Sequence, residues 1–256
     1  MSISGGLGGL NTGNVNNQQQ QQQPSQGLGG LGGGIGGGIG GAQPQQSVPA
    51  QAPAKPSNVV SLKKGQKVSL AKSAASVGVN GPLSVVKVGL GWDTNKYDGQ
   101  AAFDLDVFTF ALKADGKVRD TNDFVFYNNK QIPEGSIVLS GDNRTGAGAG
   151  DDESVQIDLT KIPPAIEKIA FCITINEAEA RGQNFGMVDN AFARIIDANS
   201  GSEFMRYDLS EDYSVETALV VGELYKHNNE WKFRAVGSGY TQGLVALCGE
   251  YGVTAE

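Results

Sequence analysis

The chain has 256 residues, enough for one or two domains, with 20 basic residues against 27 acidic ones and a net charge of −7. Lys55 is the only charged side chain before Val59, so the rest carries 19 basic and 27 acidic residues, a balance of −8. An acidic body argues against general nucleic-acid binding, which needs a basic face, and suits divalent cations. No apolar stretch reaches the length that crosses a bilayer, and the N-terminus lacks the basic region and apolar core of a signal peptide. The expectation is a soluble, cytoplasmic protein with no membrane partner.

Residues 1–58 are low in complexity. Gln18 to Gln23 form an unbroken glutamine run, residues 27–41 are nearly all glycine, and a Gln/Pro/Ala segment reaches Pro56. Such a stretch cannot bury enough apolar surface to offset its ordering entropy, which predicts a disordered tail. Gln/Asn tracts also predict self-association through this tail. The folded domain is expected over 59–256. Its strands are expected at Gln66–Leu70, Leu83–Trp92, Phe103–Leu112, Phe124–Tyr127, Ser154–Leu159, Lys168–Ile175, Ala191–Asp197, Glu203–Leu209, Thr217–Lys226 and Glu230–Val236. Turn signals fall at Ala114–Lys117, Asn199–Gly201 and Asn228–Asn229. Pro163 and Pro164 mark a short helical turn, Asn176–Gly186 reads as a loop, and Gly243–Tyr251 is the one good helix. Many short strands with regular turns predict an all-β, two-sheet sandwich with a few short helices.

Two acidic stretches stand out. Asp104 and Asp106 sit two apart in an apolar strand, which puts both on one face and Leu105 on the other. Residues 141–153 pack Asp142, Asn143, Asp151, Asp152 and Glu153 among glycines, with almost no apolar residue. Clustered hard oxygen donors on a bendable backbone suit Ca²⁺, which takes six to eight oxygens in a flexible shell. The candidate metal ligands are therefore Asp104, Asp106, Asp142, Asn143, Asp151, Asp152 and Glu153, with Asp93 a weaker one. The spacing is not an EF-hand loop, because Arg144 stands where a second oxygen is needed. The glycine run lacks the Gly-Lys-Ser/Thr ending of a phosphate loop, and its carboxylates would repel phosphate. A solvated acidic surface loop is the alternative.

Five segments carry a resemblance to a known family: Gly89–Asp93, Phe103–Asp106, Gly141–Glu153, Glu177–Gly186, and Gly222–Tyr225 with Glu230–Gly237. In order, from about Val59 to Val253, they resemble the TerD family, named for bacterial tellurite resistance and linked to stress responses. The resemblance implies a Ca²⁺-binding β-sandwich with no established catalytic activity. Cyclic-AMP-binding proteins of social amoebae are grouped in the same family, and a Gln/Asn tract fused to this domain looks more like such a member than a bacterial one. Cyclic AMP is thus the expected specific ligand, with family paralogues as possible partners. The alternative is a tellurite or general stress-resistance protein with no nucleotide ligand. One departure from the family pattern is Asn176-Glu177, where members commonly carry a His-Asp pair.

No nucleophile, lone base or cofactor motif accompanies the carboxylates, and the single histidine, His227, falls near a turn, so a non-enzymatic protein is expected. Cys172 and Cys248 form neither a metal-ligand spacing nor a disulfide framework. Gly222-Glu223 and Arg234-Ala235 superficially match the ribose and phosphate contacts of cyclic-nucleotide domains. A two-residue turn at Asn228-Asn229 would instead set Glu223 opposite Arg234 as a cross-strand pair.

Overall fold

The computed structural model describes residues 58–95, 101–141, 150–209 and 213–254. The expected tail, 1–58, lies almost wholly outside the described residues, as do Asp142 and Asn143. In chain order the strands are β1 (Val60–Ser61), β2 (Lys67–Ser69), β3 (Val85–Gly91), β4 (Leu105–Leu112), β5 (Phe124–Val125), β6 (Ile137–Ser140), β7 (Glu153–Asp158), β8 (Lys168–Ile175), β9 (Phe192–Asp197), β10 (Glu203–Asp208), β11 (Ala218–His227) and β12 (Glu230–Tyr240). The helices are α1 (Leu70–Ser76), α2 (Ala178–Arg181) and α3 (Gly243–Tyr251). Two six-stranded sheets form, ordered β1-β10-β9-β3-β7-β6 and β2-β12-β11-β8-β4-β5. They make the expected β-sandwich.

Alternation along the strands builds the core. Val86, Val88 and Leu90 of β3, with Val155 and Ile157 of β7, face Leu105, Val107 and Ala111 of β4 and Ile169, Phe171 and Ile173 of β8. From Val107 onward β4 is apolar on both faces apart from the buried Thr109, which explains its long hydrophobic run. Phe108, Phe110 and Leu112 point outward into a second cluster, closed by Leu247, Cys248 and Tyr251 of α3. Tyr251 lies 4.6 Å from the Phe110 ring centroid, and Phe110 lies 4.5 Å from Phe124. α3 ends at Gly252, whose φ of 81° takes the left-handed conformation that glycine adopts without a Cβ penalty. Both cysteines are free and buried in this second cluster. Burial pushes the Cys172 thiol well up and that of Cys248 to about 11, so neither is a ready thiolate.

Four elements depart from the sequence reading, the first being the short β1, which no expected strand covered. The chain does not extend through Leu70: Ser69 accepts the Lys72 N–H and caps α1. Ile137–Ser140, which no expected strand covered, pairs with β7 as β6. The Asn176–Gly186 segment is not a plain loop, since it holds α2 and a 3₁₀ turn at Phe185–Met187. The turn at Pro163 is closed by a single hydrogen bond from Ile166 N–H to Pro163 C=O.

The β11–β12 hairpin has the expected register. His227 pairs with Glu230 and Glu223 with Arg234. Asn228 and Asn229 both take positive φ, 51° and 60°, as a tight two-residue hairpin turn requires. A bulge separates Val220 from Gly222, and a Cβ at Gly222 would strike the Phe233 ring. Gly222-Glu223 and Arg234 are thus strand residues, not a nucleotide cassette. Arg234 Nη1 lies 3.9 Å from Glu223 Oε2, with 43% of the Arg234 side chain exposed. Such a pair contributes at most about 1 kcal/mol. Arg234→Ala should therefore leave the denaturant midpoint nearly unchanged. A large fall in chemical denaturation would contradict the strand-pair reading.

Candidate metal centre

The described acidic residues of the two stretches lie towards one end of the sandwich, where β4 and β7 both begin. Asp104 and Asp106 do share a face of the second sheet, because Leu105 between them is 1% exposed in the main core. Asp104 is held from the segment after β8. Its backbone C=O accepts the Asn176 N–H at 2.8 Å, and its Oδ2 accepts Asn176 Nδ2 at 2.9 Å. Arg181 Nη1 of α2 stands 4.0 Å from the same oxygen, and its Nη2 pairs with Glu177 at 2.9 Å. Glu177 has φ 51°, left-handed and unfavourable for a non-glycine residue. Asp106 lies close enough to Tyr127 to act on it: burial first, then the Asp106 charge, raises the Tyr127 phenol.

The three consecutive acids of the loop point three ways. Glu153 turns into the end of the interior, 4% exposed. Its Oε2 accepts the Val107 N–H of the opposite sheet at 2.8 Å. β5 pairs with β4 only at Thr109 and Phe110, so Val107 lies past the end of β5, and the carboxylate takes the place of a strand partner. Asp152 Oδ2 accepts the Trp92 N–H at 2.9 Å. Asp151 turns out over the first sheet. Its Oδ1 takes Arg194 Nε at 2.5 Å, and Lys87 Nζ lies 3.0 Å from Oδ2 as an ionic contact rather than an aligned hydrogen bond. Arg194 continues to Glu203 at 3.0 Å, and Glu203 to Arg206 at 2.8 Å. Burial alone would pull the Arg194 guanidinium down, but Asp151 and Glu203 hold it above its ordinary value.

Two glycines make room for this arrangement. A Cβ at Gly89 would overlap the Asp151 carboxyl group, and one at Gly91 would stand 2.6 Å from the Phe192 ring and 2.9 Å from the Gly150 carbonyl. The Gly-Leu-Gly-Trp-Asp stretch is therefore a seat: two bare positions on which residues 150 and 151 lie, with Leu90 anchored in the core between them. Asp93, the weaker candidate, accepts Asn190 Nδ2 at 2.6 Å.

Among the described residues, no three of His, Cys, Asp and Glu gather tightly enough to hold a metal. Asp106 shares the outer face of β4 with Phe108 and Phe110, Asp104 lies just before the strand, and Glu153 reaches β4 at the Val107 N–H from the end of the interior. In donor chemistry these three carboxylates fit a calcium ion. Gln183, 3% exposed, holds the segment leading into Asp104: its Nε2 donates to the Ala101 C=O at 2.8 Å, while its Oε1 is buried without a hydrogen-bond partner. Gln183, Asn176, Lys87 and Arg194 were not anticipated as site residues. The first belongs to the Glu177–Gly186 segment, which carries the family resemblance, and that was its one signal.

A two-sheet sandwich whose acidic residues 150–153 are seated on the glycines of β3 defines the class, and the comparisons place the chain within it. The TerD domain family matches residues 59–251. The chain is 56% identical to General stress protein 16U of Bacillus subtilis (strain 168) over 194 residues, 76% of this chain and 97% of that one. It is 52% identical to the Tellurium resistance protein TerD of Serratia marcescens over 197 residues, 77% of this chain and 99% of that one. The crystal structure of a TerD homologue from Streptomyces coelicolor A3(2) matches with a TM-score of 0.54 at 25% identity, covering 65% of this chain and 95% of that one. The chain belongs to the TerD family.

Proposed function

We propose that this protein is a stress-protection module whose acidic end binds Ca²⁺. The observation that carries the stress reading is similarity along nearly the whole length of a general stress protein and a tellurium resistance protein. The domain holds no long apolar helix among its described residues. Asp104, Asp106 and Glu153 are the proposed ligands among the described residues, and Asp142, Asn143 and Asp152 complete the set on sequence grounds. The ion would neutralise carboxylates that otherwise repel one another and would tie the start of β4 to the loop before β7. Asp151 has another task in the described geometry, as the loop's anchor on Lys87 and Arg194.

The test is survival. Expression of the full chain in a bacterium stripped of its own TerD-family genes should raise tolerance to tellurite, and the Asp104→Asn/Asp106→Asn double variant should raise it less. Survival equal to that of an empty vector would remove the stress reading. Cyclic AMP binding is a finer proposal, supported by the Gln/Asn-rich tail joined to this domain. Calorimetric titration with cyclic AMP, with and without Ca²⁺, tests it, and absence of heat in both would discard it.

A further inference from the structure

The outer face of the second sheet is not covered evenly. α3 closes it over Cys172, Val220 and Phe110. Towards the β11–β12 turn the face is polar. Leu224 and Phe233 point into the main core, so their neighbours Tyr225 and Lys232 point out. Register sets Tyr225, Lys232 and Ser69 in one row across β11, β12 and β2, with Lys168 beyond Tyr225. A groove of about 480 Å³ opens here, lined by Lys67, Ser69, Lys72, Tyr225, Glu230 and Lys232, with His227 at its rim.

Its charge runs against that of the molecule. Across this face Lys67, Lys72, Lys168, Lys232 and Arg234 stand against two carboxylates, Glu223 and Glu230, on a chain of net charge −7. Both carboxylates are engaged. Glu223 faces Lys168 at 3.4 Å and Arg234 at 3.9 Å, and Glu230 accepts the Ser69 hydroxyl. Among the described residues, Lys67, Lys72 and Lys232 have no carboxylate within ion-pair distance. With Glu230 also on its wall, the groove's three ammonium groups leave a net charge of +2, and an anion relieves that excess. The volume is that of a small-molecule site. An ammonium binds phosphate as a compact point charge. The acidic remainder of the surface would focus an anion onto this groove alone.

We propose that this groove binds the phosphate group of a small phosphomonoester or diphosphate, held by Lys67, Lys72 and Lys232. A net charge of +2 suits a doubly charged phosphate better than a singly charged diester. The site lies on the second sheet's outer face, away from the proposed calcium ligands, and does not rest on that reading.

The probe is phenyl phosphate, doubly charged at neutral pH, titrated into the full isotope-labelled chain and followed by amide shifts. Saturable shifts are expected at residues 67–72, 225 and 230–232, and phenol should cause none. Lys67→Gln, Lys72→Gln and Lys232→Gln should each weaken binding roughly three- to tenfold, as loss of one charge-assisted contact does. The triple variant should lose it, and Lys161→Gln, on an exposed pair with Asp158, should not change it. Sedimentation with vesicles carrying phosphatidylinositol 4-phosphate separates two sources of the same chemistry: pelleting lost in the triple variant assigns the phosphate to a lipid headgroup, and no pelleting assigns it to a soluble ester. The proposal is overturned if phenyl phosphate gives no saturable shift, if the shifts lie elsewhere, or if the triple variant binds like the parent.

Discussion

Gly89→Ala is expected to lower the melting temperature by roughly 6–12 °C. The added Cβ would coincide with the Asp151 carboxyl group, and Asp151 cannot step aside cheaply. Its carboxylate is 5% exposed and fixed between Arg194 and Lys87. Overpacking of a tight site costs about 1–3 kcal/mol, and here the displaced group also leaves its cations, so the upper end applies. For a domain of this size each kcal/mol shifts the midpoint by about 2–4 °C. Calorimetric melting checks the value. A midpoint within a degree of the parent would mean that residues 150–152 are not seated on β3 as described. Gly116→Ala, at a turn with open space around it, isolates the ordinary strain of a left-handed position and should cost less.

Asp151→Asn should destabilise the metal-free chain by about 2 kcal/mol. Breaking a fully buried ion pair costs about 3–5 kcal/mol. Two features reduce that here: Arg194 keeps Glu203, and the Lys87 side chain is 35% exposed and can reach solvent. Urea denaturation in the presence of chelator reads the effect. This result separates two roles for one carboxylate. An anchor loses stability without metal, whereas a pure calcium ligand would leave the metal-free protein unchanged or relieve it of repulsion. An unchanged midpoint under chelation would return Asp151 to the ligand set.

The parts of this fold that were legible in the sequence are those governed by local rules. Lys168–Ile175 and Gly243–Tyr251 were readable to the residue, because unbroken β-branched and apolar runs and a helix closing at a glycine need no tertiary information. The hairpin register followed from Asn228-Asn229 alone. β6 was missed because four residues flanked by turns carry too little periodicity, and it exists only because β7 offers an edge. α1 was read through because Ser69 fits a strand end and a helix cap equally well. At the acidic end, alternation placed Asp104 and Asp106 on one face, but the charge partners were hidden. Asp151 meets Arg194 43 positions away, and Asp104 meets Asn176 72 positions away. Counting carboxylates in a loop does not reveal that three in succession turn to three different neighbours.

The proposed calcium site rests on Asp104, Asp106 and Glu153, and one titration decides it. Ca²⁺ is added to the full chain after chelator treatment, with heat and melting temperature recorded together. A ligand that binds only the folded state stabilises it by about 2.7 kcal/mol at 100 times its Kd, which corresponds to a rise of roughly 5–11 °C for this size of domain. The account expects saturable heat and a rise of that order. It expects a far smaller response to Mg²⁺, which demands a tight octahedral shell, and loss of the response in Asp104→Asn/Asp106→Asn. No heat, with a melting temperature indifferent to Ca²⁺, would contradict it and leave these carboxylates to the protein partners they already have.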